Sequence, residues 1–224
     1  MNPFPKPPRG RLIKNESGEL EFVFGTPEKK PRKPRAKPEP GDCVELQRLT
    51  VGPARIATRK GASFIAVRKW REPTKKKAVD LMKRTKDAVD MDSAEVIAGE
   101  LTECIRNLFG ASIGASITAP NARHSAHIGV EHFASKIAQL VAAKLGAEYV
   151  QLFEVCKTDR SGHSPKLRKD PPKIIVANLP ASRRVIIVDE VATSAETMEM
   201  HIKALREAGI SVSGLVWVFG ETNI

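Results

Sequence analysis

The stretch of this chain best equipped for chemistry is Val185-Ile-Ile-Val-Asp-Glu-Val-Ala-Thr-Ser-Ala-Glu-Thr197. An apolar run closes on two adjacent acids, small hydroxyl residues follow, and a helical pattern begins. The apolar run reads as a strand at the centre of a parallel sheet, covered on both faces. At the carboxyl end of such a strand, a short turn into a helix N-terminus aims unpaired N–H groups and a positive dipole end at one point. An anionic phosphate fits there, with Thr193, Ser194 and Thr197 as added hydroxyl donors. Asp189 and Glu190 stand just before the turn, where carboxylates accept hydrogen bonds from vicinal sugar hydroxyls. The pattern points to a sugar phosphate. The plainer reading is a strand-terminal charged pair with Thr193 as a helix cap.

Two other segments carry cations. The turn Thr118-Ala-Pro-Asn-Ala-Arg-His124 follows a strand-like run and holds Arg123 and His124. The polar stretch CKTDRSGHSPKLRKDPPK, with Arg160, His163, Lys166 and Arg168, has too few apolar groups for a core and reads as a long mobile loop. Either is a solvated basic segment or a set of groups that closes on an anion. Cys43, Cys104 and Cys156 are widely spaced with no CxxC pair, which argues against a disulfide scaffold or a four-cysteine zinc site. No metal ligands are assigned.

The elements that must position these groups alternate. Asp92 or Ser93 caps a helix whose apolar stripe is Ile97, Leu101, Cys104, Ile105 and Leu108, ending at Gly110. ASIGASIT (111–118) reads as a strand, and a helix with Phe133, Ile137, Leu140 and Val141 on one face closes at Gly146. EYVQLFEV (148–155), residues 174–177, RVIIVDE (184–190) and SVSGLVWVFG (211–220) read as strands, with an amphipathic helix over 197–209. Strands and helices alternating at these lengths predict a parallel α/β sheet.

Upstream the composition changes. Nine of the sixteen prolines fall within residues 1–42, which read as a disordered tail holding at most a short strand at ELEFVFG. Residues 43–90 form a basic hood or N-terminal subdomain, with a β-prone run at 63–67 and a helix bearing Ala78, Leu81, Met82 and Val89. Residues 91–224 form the core. Of the net charge of +11, most is local: 53–86 holds twelve Lys or Arg against two acids. Such a patch favours polyanions. Lys75, Lys76 and Lys77 are either a solvated helix face or a nucleic-acid contact, and Trp70 and Trp217 read as packing residues. No run of eighteen apolar residues and no secretory leader is present, so a cytoplasmic location is expected.

The segment VIIV-DE-VA-TS-A-E-T resembles the fingerprint of the type I phosphoribosyltransferases: four apolar residues, two acids, one or two apolar residues, two of Thr or Ser, Gly, any residue, Thr. The resemblance covers roughly the last 130 residues and departs at Ala195, where glycine is usual, while Glu196 adds a negative charge. It implies an α/β, parallel-sheet phosphoribosyltransferase-like core. Asp189 and Glu190 would hold the ribose hydroxyls of phosphoribosyl pyrophosphate (PRPP), and Val191, Ala192, Thr193, Ser194, Ala195, Glu196 and Thr197 would cradle the 5′-phosphate. Ala119, Pro120, Asn121, Ala122, Arg123 and His124 would form the pyrophosphate loop, with Arg123, Arg160 and His163 as catalytic groups and residues 157–173 as a closing loop. Within the family, the layout looks like the competence-associated ComF-type branch, without that branch's frequent N-terminal zinc finger.

The resemblance implies transfer of ribose 5-phosphate from PRPP to a nitrogenous acceptor with release of pyrophosphate. Mg²⁺ would be bound mainly through PRPP. The acceptor would be specified by the hood, and a homodimer is compatible with the pattern. The competing reading is a non-catalytic PRPP- or nucleotide-binding module with nucleic-acid contact through the 53–86 segment; Ala195, Glu196 and the basic patch favour it.

Overall fold

A computed structural model describes residues 10–14, 20–24, 39, 41–59, 61–120, 132–154, 174–192 and 195–220. The chain forms two compact units, Met1–Pro34 and Arg35–Ile224. In the first, β1 (Gly10–Lys14) pairs antiparallel with β2 (Leu20–Phe24). The strand expected over 19–25 is therefore present, and it has a partner that its own pattern does not announce.

The second unit runs α1 (Asp42–Arg48), β3 (Thr50–Val51), β4 (Arg55–Arg59), β5 (Ala62–Trp70), a single 3-10 turn at Glu72–Thr74 and α2 (Lys75–Ala88). It continues with α3 (Met91–Phe109), β6 (Ser116–Thr118), α4 (Phe133–Leu145), β7 (Arg184–Ala192), α5 (Glu196–Glu207) and β8 (Ser211–Phe219). One six-stranded mixed sheet has the order β3-β5-β8-β7-β6, with β4 also on β5. Strands β5, β8, β7 and β6 are mutually parallel, and β3 and β4 join β5 antiparallel. The α/β architecture with a mostly parallel sheet is as the alternating pattern requires.

Burial on both faces explains why β7 is apolar throughout. Ile186 and Val188 join α2, α3 and α4 in one core, while Val185 and Ile187 join Met198, Ile202 and Leu205 of α5 in the other. Period-2 alternation thus feeds two layers at once. Asp90 starts α3 by accepting from the Ser93 backbone N–H at 3.0 Å, so the cap is two or three residues earlier than Asp92 or Ser93. The buried stripe of α3 ends at Ile105; Leu108, expected inward, is 53% exposed.

Two further expectations are corrected, and residues 43–90 supply part of the core sheet: β5 pairs with β8, Ile65 opposite Leu215, and Ala78, Leu81 and Met82 of α2 lie in the main core. The reason is that β5 buries Phe64 and Ala66 on one face and packs Ile65 and Val67 on the other, as an interior strand must. The strand expected over 111–118 shortens to three residues. The strand expected over 148–155 is only a pair of bridges, Tyr149 to Ile117 and Phe153 to Val176, because consecutive Leu152 and Phe153 are both buried and break the alternation.

Candidate functional site

All four parallel strands end on the same edge of the sheet, which gathers the groups of interest. Ala192 on β7 lies opposite Phe219 on β8, and Phe219 opposite Lys69 on β5. Neighbouring strands stand about 4.8 Å apart, so the row from Ala192 to Lys69 spans about 10 Å. Ala192 is the last residue before the turn into α5.

Asp189 and Glu190 occupy the end of β7, as the sequence predicts. Asp189 is half-buried and Glu190 is 1% exposed. The Glu190 backbone N–H donates to Asp189 Oδ1 at 2.8 Å. A third group completes the pair: the Lys86 ammonium, from the last turn of α2, forms an ion pair with Glu190 Oε1. Glu190 Oε2 is buried and accepts from no N–H or hydroxyl group of the described residues. Burial pushes the Asp189 carboxyl well above its ordinary range, and the adjacent Glu190 carboxylate pushes it further. Burial acts to raise Glu190, but the Lys86 charge, the hydrogen bond with Asp189 and the nearby His132 together outweigh it and bring this carboxyl down to about 2. The two carboxyls are thus pushed apart, Asp189 toward its protonated form and Glu190 toward its carboxylate.

His132 stands at the start of α4, its Nδ1 3.1 Å from Ser135 Oγ. Burial lowers the pKa of its imidazole and Lys86 lowers it further, against the pull of Glu190. The balance favours the neutral ring. Lys86 and His132 are the two site residues that the sequence reading did not single out. The signal for Lys86 was present: it follows Met82 by four residues, and so falls on the apolar face of its helix.

The turn after β7 is described in part. Ala195 caps α5 with φ 57° and ψ 3°, a left-handed conformation that a glycine adopts without strain. Its side chain is buried against Met198 and its neighbours. Glu196 and Thr197 begin α5, Val191 is half-buried and Ala192 is buried, while Thr193 and Ser194 lie outside the described residues. Behind this turn, fully buried His201 donates from Nδ1 to the Thr197 carbonyl at 2.6 Å and meets the Phe153 ring edge-on at 4.4 Å.

Of the expected pyrophosphate loop, Ala119 and Pro120 are buried directly after β6. Thr118 lies opposite Ile187, so the loop leaves the sheet level with Val188 and Asp189. Asn121, Ala122, Arg123 and His124 lie outside the described residues, as do Arg160, His163, Lys166, Arg168 and the whole of 157–173.

A cavity of about 300 Å³ opens at the ends of β5 and β8, lined by Val51, Arg55, Lys69, Trp70, Arg71, Glu72 and Phe219. The Arg55 guanidinium lies 5.8 Å from the Phe219 ring centroid. Trp70, 4% exposed, has no partner for its indole N–H. A larger cavity of about 510 Å³ lies away from this edge, between α3 and the β4–β5 hairpin.

The basic face of α2 is largely balanced by neighbours. Lys75 pairs with Glu72 at 3.3 Å, Lys77 with Glu45 at 2.5 Å, Lys83 with Asp80 at 3.7 Å and Arg84 with Asp42 at 3.6 Å. Trp217 is fully buried. Among the described residues, no helix is long and apolar enough to cross a membrane, and no three His, Cys, Asp or Glu side chains cluster as metal ligands.

No family model matches the chain, and no curated protein matches it. Among solved structures, an orotate phosphoribosyltransferase from Aeropyrum pernix is similar, with 17% identity over 79% of this chain and 80% of that one and a TM-score of 0.40. A phosphoribosyltransferase from Corynebacterium diphtheriae shows 17% identity over 81% of this chain and 85% of that one, with a TM-score of 0.38.

Proposed function

We propose that this chain is a type I phosphoribosyltransferase, or a close derivative of one, that moves ribose 5-phosphate from PRPP to a nitrogenous acceptor. One observation carries the reading: two adjacent carboxyl groups stand near the end of β7, an interior strand in the parallel part of the sheet, and the N-terminus of α5 begins four residues after Ala192. That edge of an open α/β sheet is where ligands bind, and the residues from Val185 to Thr197 resemble the family fingerprint except at Ala195.

In the reaction, the bond from ribose C1 to the pyrophosphate oxygen breaks, and pyrophosphate leaves with the electron pair. A bond from the acceptor nitrogen to C1 forms, and the nitrogen loses its proton. No protein nucleophile is needed. What the protein supplies is placement: Asp189 and Glu190 for the ribose hydroxyls, the 191–197 turn for the 5′-phosphate, and the 119–124 loop with Arg123 for pyrophosphate. The cavity at Lys69, Trp70 and Phe219 suits the acceptor, since a flat ring finds an aromatic wall and an unpaired N–H donor there. The described side chains do not fit a magnesium ion held by the protein itself. Lys86 already engages Glu190 and Asp189 favours its proton, so the ion belongs with PRPP.

The second reading is a binding module without turnover. Ala195 in a strained left-handed conformation and Glu190 committed to an internal lysine favour it. Its nucleic-acid arm has the weaker support, because most α2 cations have acidic neighbours.

The test is a binding titration with PRPP and magnesium, followed by a screen of free bases for pyrophosphate release. Turnover with any base supports the transferase. Saturable binding without turnover supports the module, and no binding overturns both.

A further inference from the structure

Lys86 sits where the period of α2 calls for an apolar side chain, in line with Ala78 and Met82. Placing an ammonium there costs desolvation that only a charged partner offsets. The partner is Glu190, 1% exposed at the end of β7. Its other oxygen, Oε2, is buried and accepts from no N–H or hydroxyl group of the described residues, while the Asp189 carboxyl beside it hydrogen-bonds the Glu190 side chain. Beside it, Asp189 Oδ1 takes the Glu190 backbone N–H at 2.8 Å, which fixes the two carboxyl groups relative to each other.

We propose that Lys86 is the positioning residue of the acidic pair: held on Glu190 Oε1, it fixes that carboxylate so that Glu190 Oε2 and the Asp189 carboxyl are offered together to the two hydroxyls of a vicinal diol. This rests on the phosphoribosyl reading of the site and names what makes its sugar half selective. The charges agree with it. The titratable groups facing Glu190 among the described residues are Asp189 on β7, Lys86 on α2 and His132 at the start of α4. Asp189 is shifted toward its protonated form and His132 toward its neutral form, so the opposite charges of Glu190 and Lys86 dominate the site and offset each other, which suits an uncharged diol. Lys86 itself is raised above its ordinary value: burial alone would lower it, but Glu190 and then Asp189 outweigh that.

The test uses the full chain as wild type, Lys86→Met and Lys86→Arg, with Lys86→Gln replacing Lys86→Met if the latter does not fold. The first readout needs no ligand: the Glu190 side-chain carboxyl is followed by carbon-13 NMR from about pH 2 to about pH 8. The second compares binding of ribose 5-phosphate with that of 2-deoxyribose 5-phosphate, which lacks the diol. Expected are a roughly tenfold or greater wild-type preference for the ribose compound, as the loss of one charge-assisted hydrogen bond predicts, and loss of that preference in Lys86→Met. Glu190 should then titrate within or above the ordinary carboxylate range, and Lys86→Arg should restore both properties. A Glu190 titration that stays put in a folded Lys86→Met protein, or an unchanged preference, overturns the proposal. If the wild type binds neither sugar phosphate, the phosphoribosyl reading fails and the diol assignment falls with it. The NMR titration still decides by itself whether Lys86 holds the carboxylate.

Discussion

Trp217 on β8 donates its indole N–H to Glu100 Oε2 on α3 at 2.8 Å, although the two residues are 117 positions apart. The same carboxylate accepts from Arg68 of β5 at 2.7 Å and from Gln47 of α1 at 2.7 Å. Burial alone would raise Glu100, yet Arg68, Gln47 and Trp217 together hold it below its ordinary value. One carboxylate thus ties two helices to two strands. Replacing Glu100 by Ala leaves a fully buried indole N–H unpaired and a half-buried guanidinium with only the long contacts to the Gln47 carbonyl and Thr50 hydroxyl. The expected loss is about 3–5 kcal/mol, readable by urea denaturation; a loss under about 1 kcal/mol would contradict it.

Adjacent carboxyl groups at the end of β7 should respond with opposite signs. Asp189→Asn removes the carboxyl that burial and Glu190 already disfavour as an anion, and Asn Oδ1 can still take the Glu190 N–H. The variant is expected to melt a few degrees higher, for a gain of about 1 kcal/mol, while losing affinity for PRPP. Glu190→Gln strands Lys86 and is expected to cost about 2 kcal/mol, less than for a fully buried pair because the Lys86 side chain retains 39% exposure. Equal shifts in the same direction would refute this.

The pair also sets a pH dependence whose sign follows from the shifts. Glu190 lies below its ordinary 4.5 in the folded protein, so its contribution is complete above that value and is lost as pH falls toward about 2. Lys86 is raised above its ordinary 10.5, so its contribution holds below that value and fades as pH climbs past the folded one. Asp189 opposes them: its destabilisation grows as pH rises from its ordinary 3.8 through its raised value. The stability difference between wild type and Lys86→Met should therefore be largest near neutrality and shrink at both extremes. A difference that is flat with pH, measured by denaturant titration, would show that the ion pair contributes nothing.

Ala195→Gly relieves a left-handed conformation worth about 1–2 kcal/mol of strain, and gives up one buried methyl worth about 0.8 kcal/mol. Net stability should stay level or rise by about 1 kcal/mol. PRPP affinity, by isothermal titration, should be equal or tighter; a large loss would mean that the turn holds its ligand in a different way.

Gly214 on β8 admits α5 close to the sheet. A Cβ there would stand 2.8 Å from Met198 Sδ and 3.1 Å from Phe64 Cβ. Gly214→Ala is expected to cost about 1–3 kcal/mol, and pairing it with Met198→Ala should recover part of that loss. Strictly additive effects in the double variant would exclude the contact.

Elements with a strong local period could be read directly from the residues. The continuous apolar run over 185–188 and the stripe from Ile97 to Ile105 specify their strand and helix because the pattern of near neighbours shows which faces are apolar. The position of Asp189 and Glu190 at the end of a strand, before a turn into a helix, is local in the same sense. Ala195 was visible as a departure from glycine, although its left-handed backbone was not.

What the tertiary structure decided is what depends on distant pairing. β5 reads locally as a short apolar run, and only its register with β8, Ile65 opposite Leu215, turns the basic 43–90 segment into part of the main sheet. Lys86 reads as one cation in a basic helix, and only the packing of α2 beside the end of β7 makes it the counter-ion of Glu190. Side-chain periodicity fixes which face of an element is buried but carries no information about what covers it. That partner is chosen by the free energy of closing long loops against the area and charge brought together, a balance struck over the whole chain.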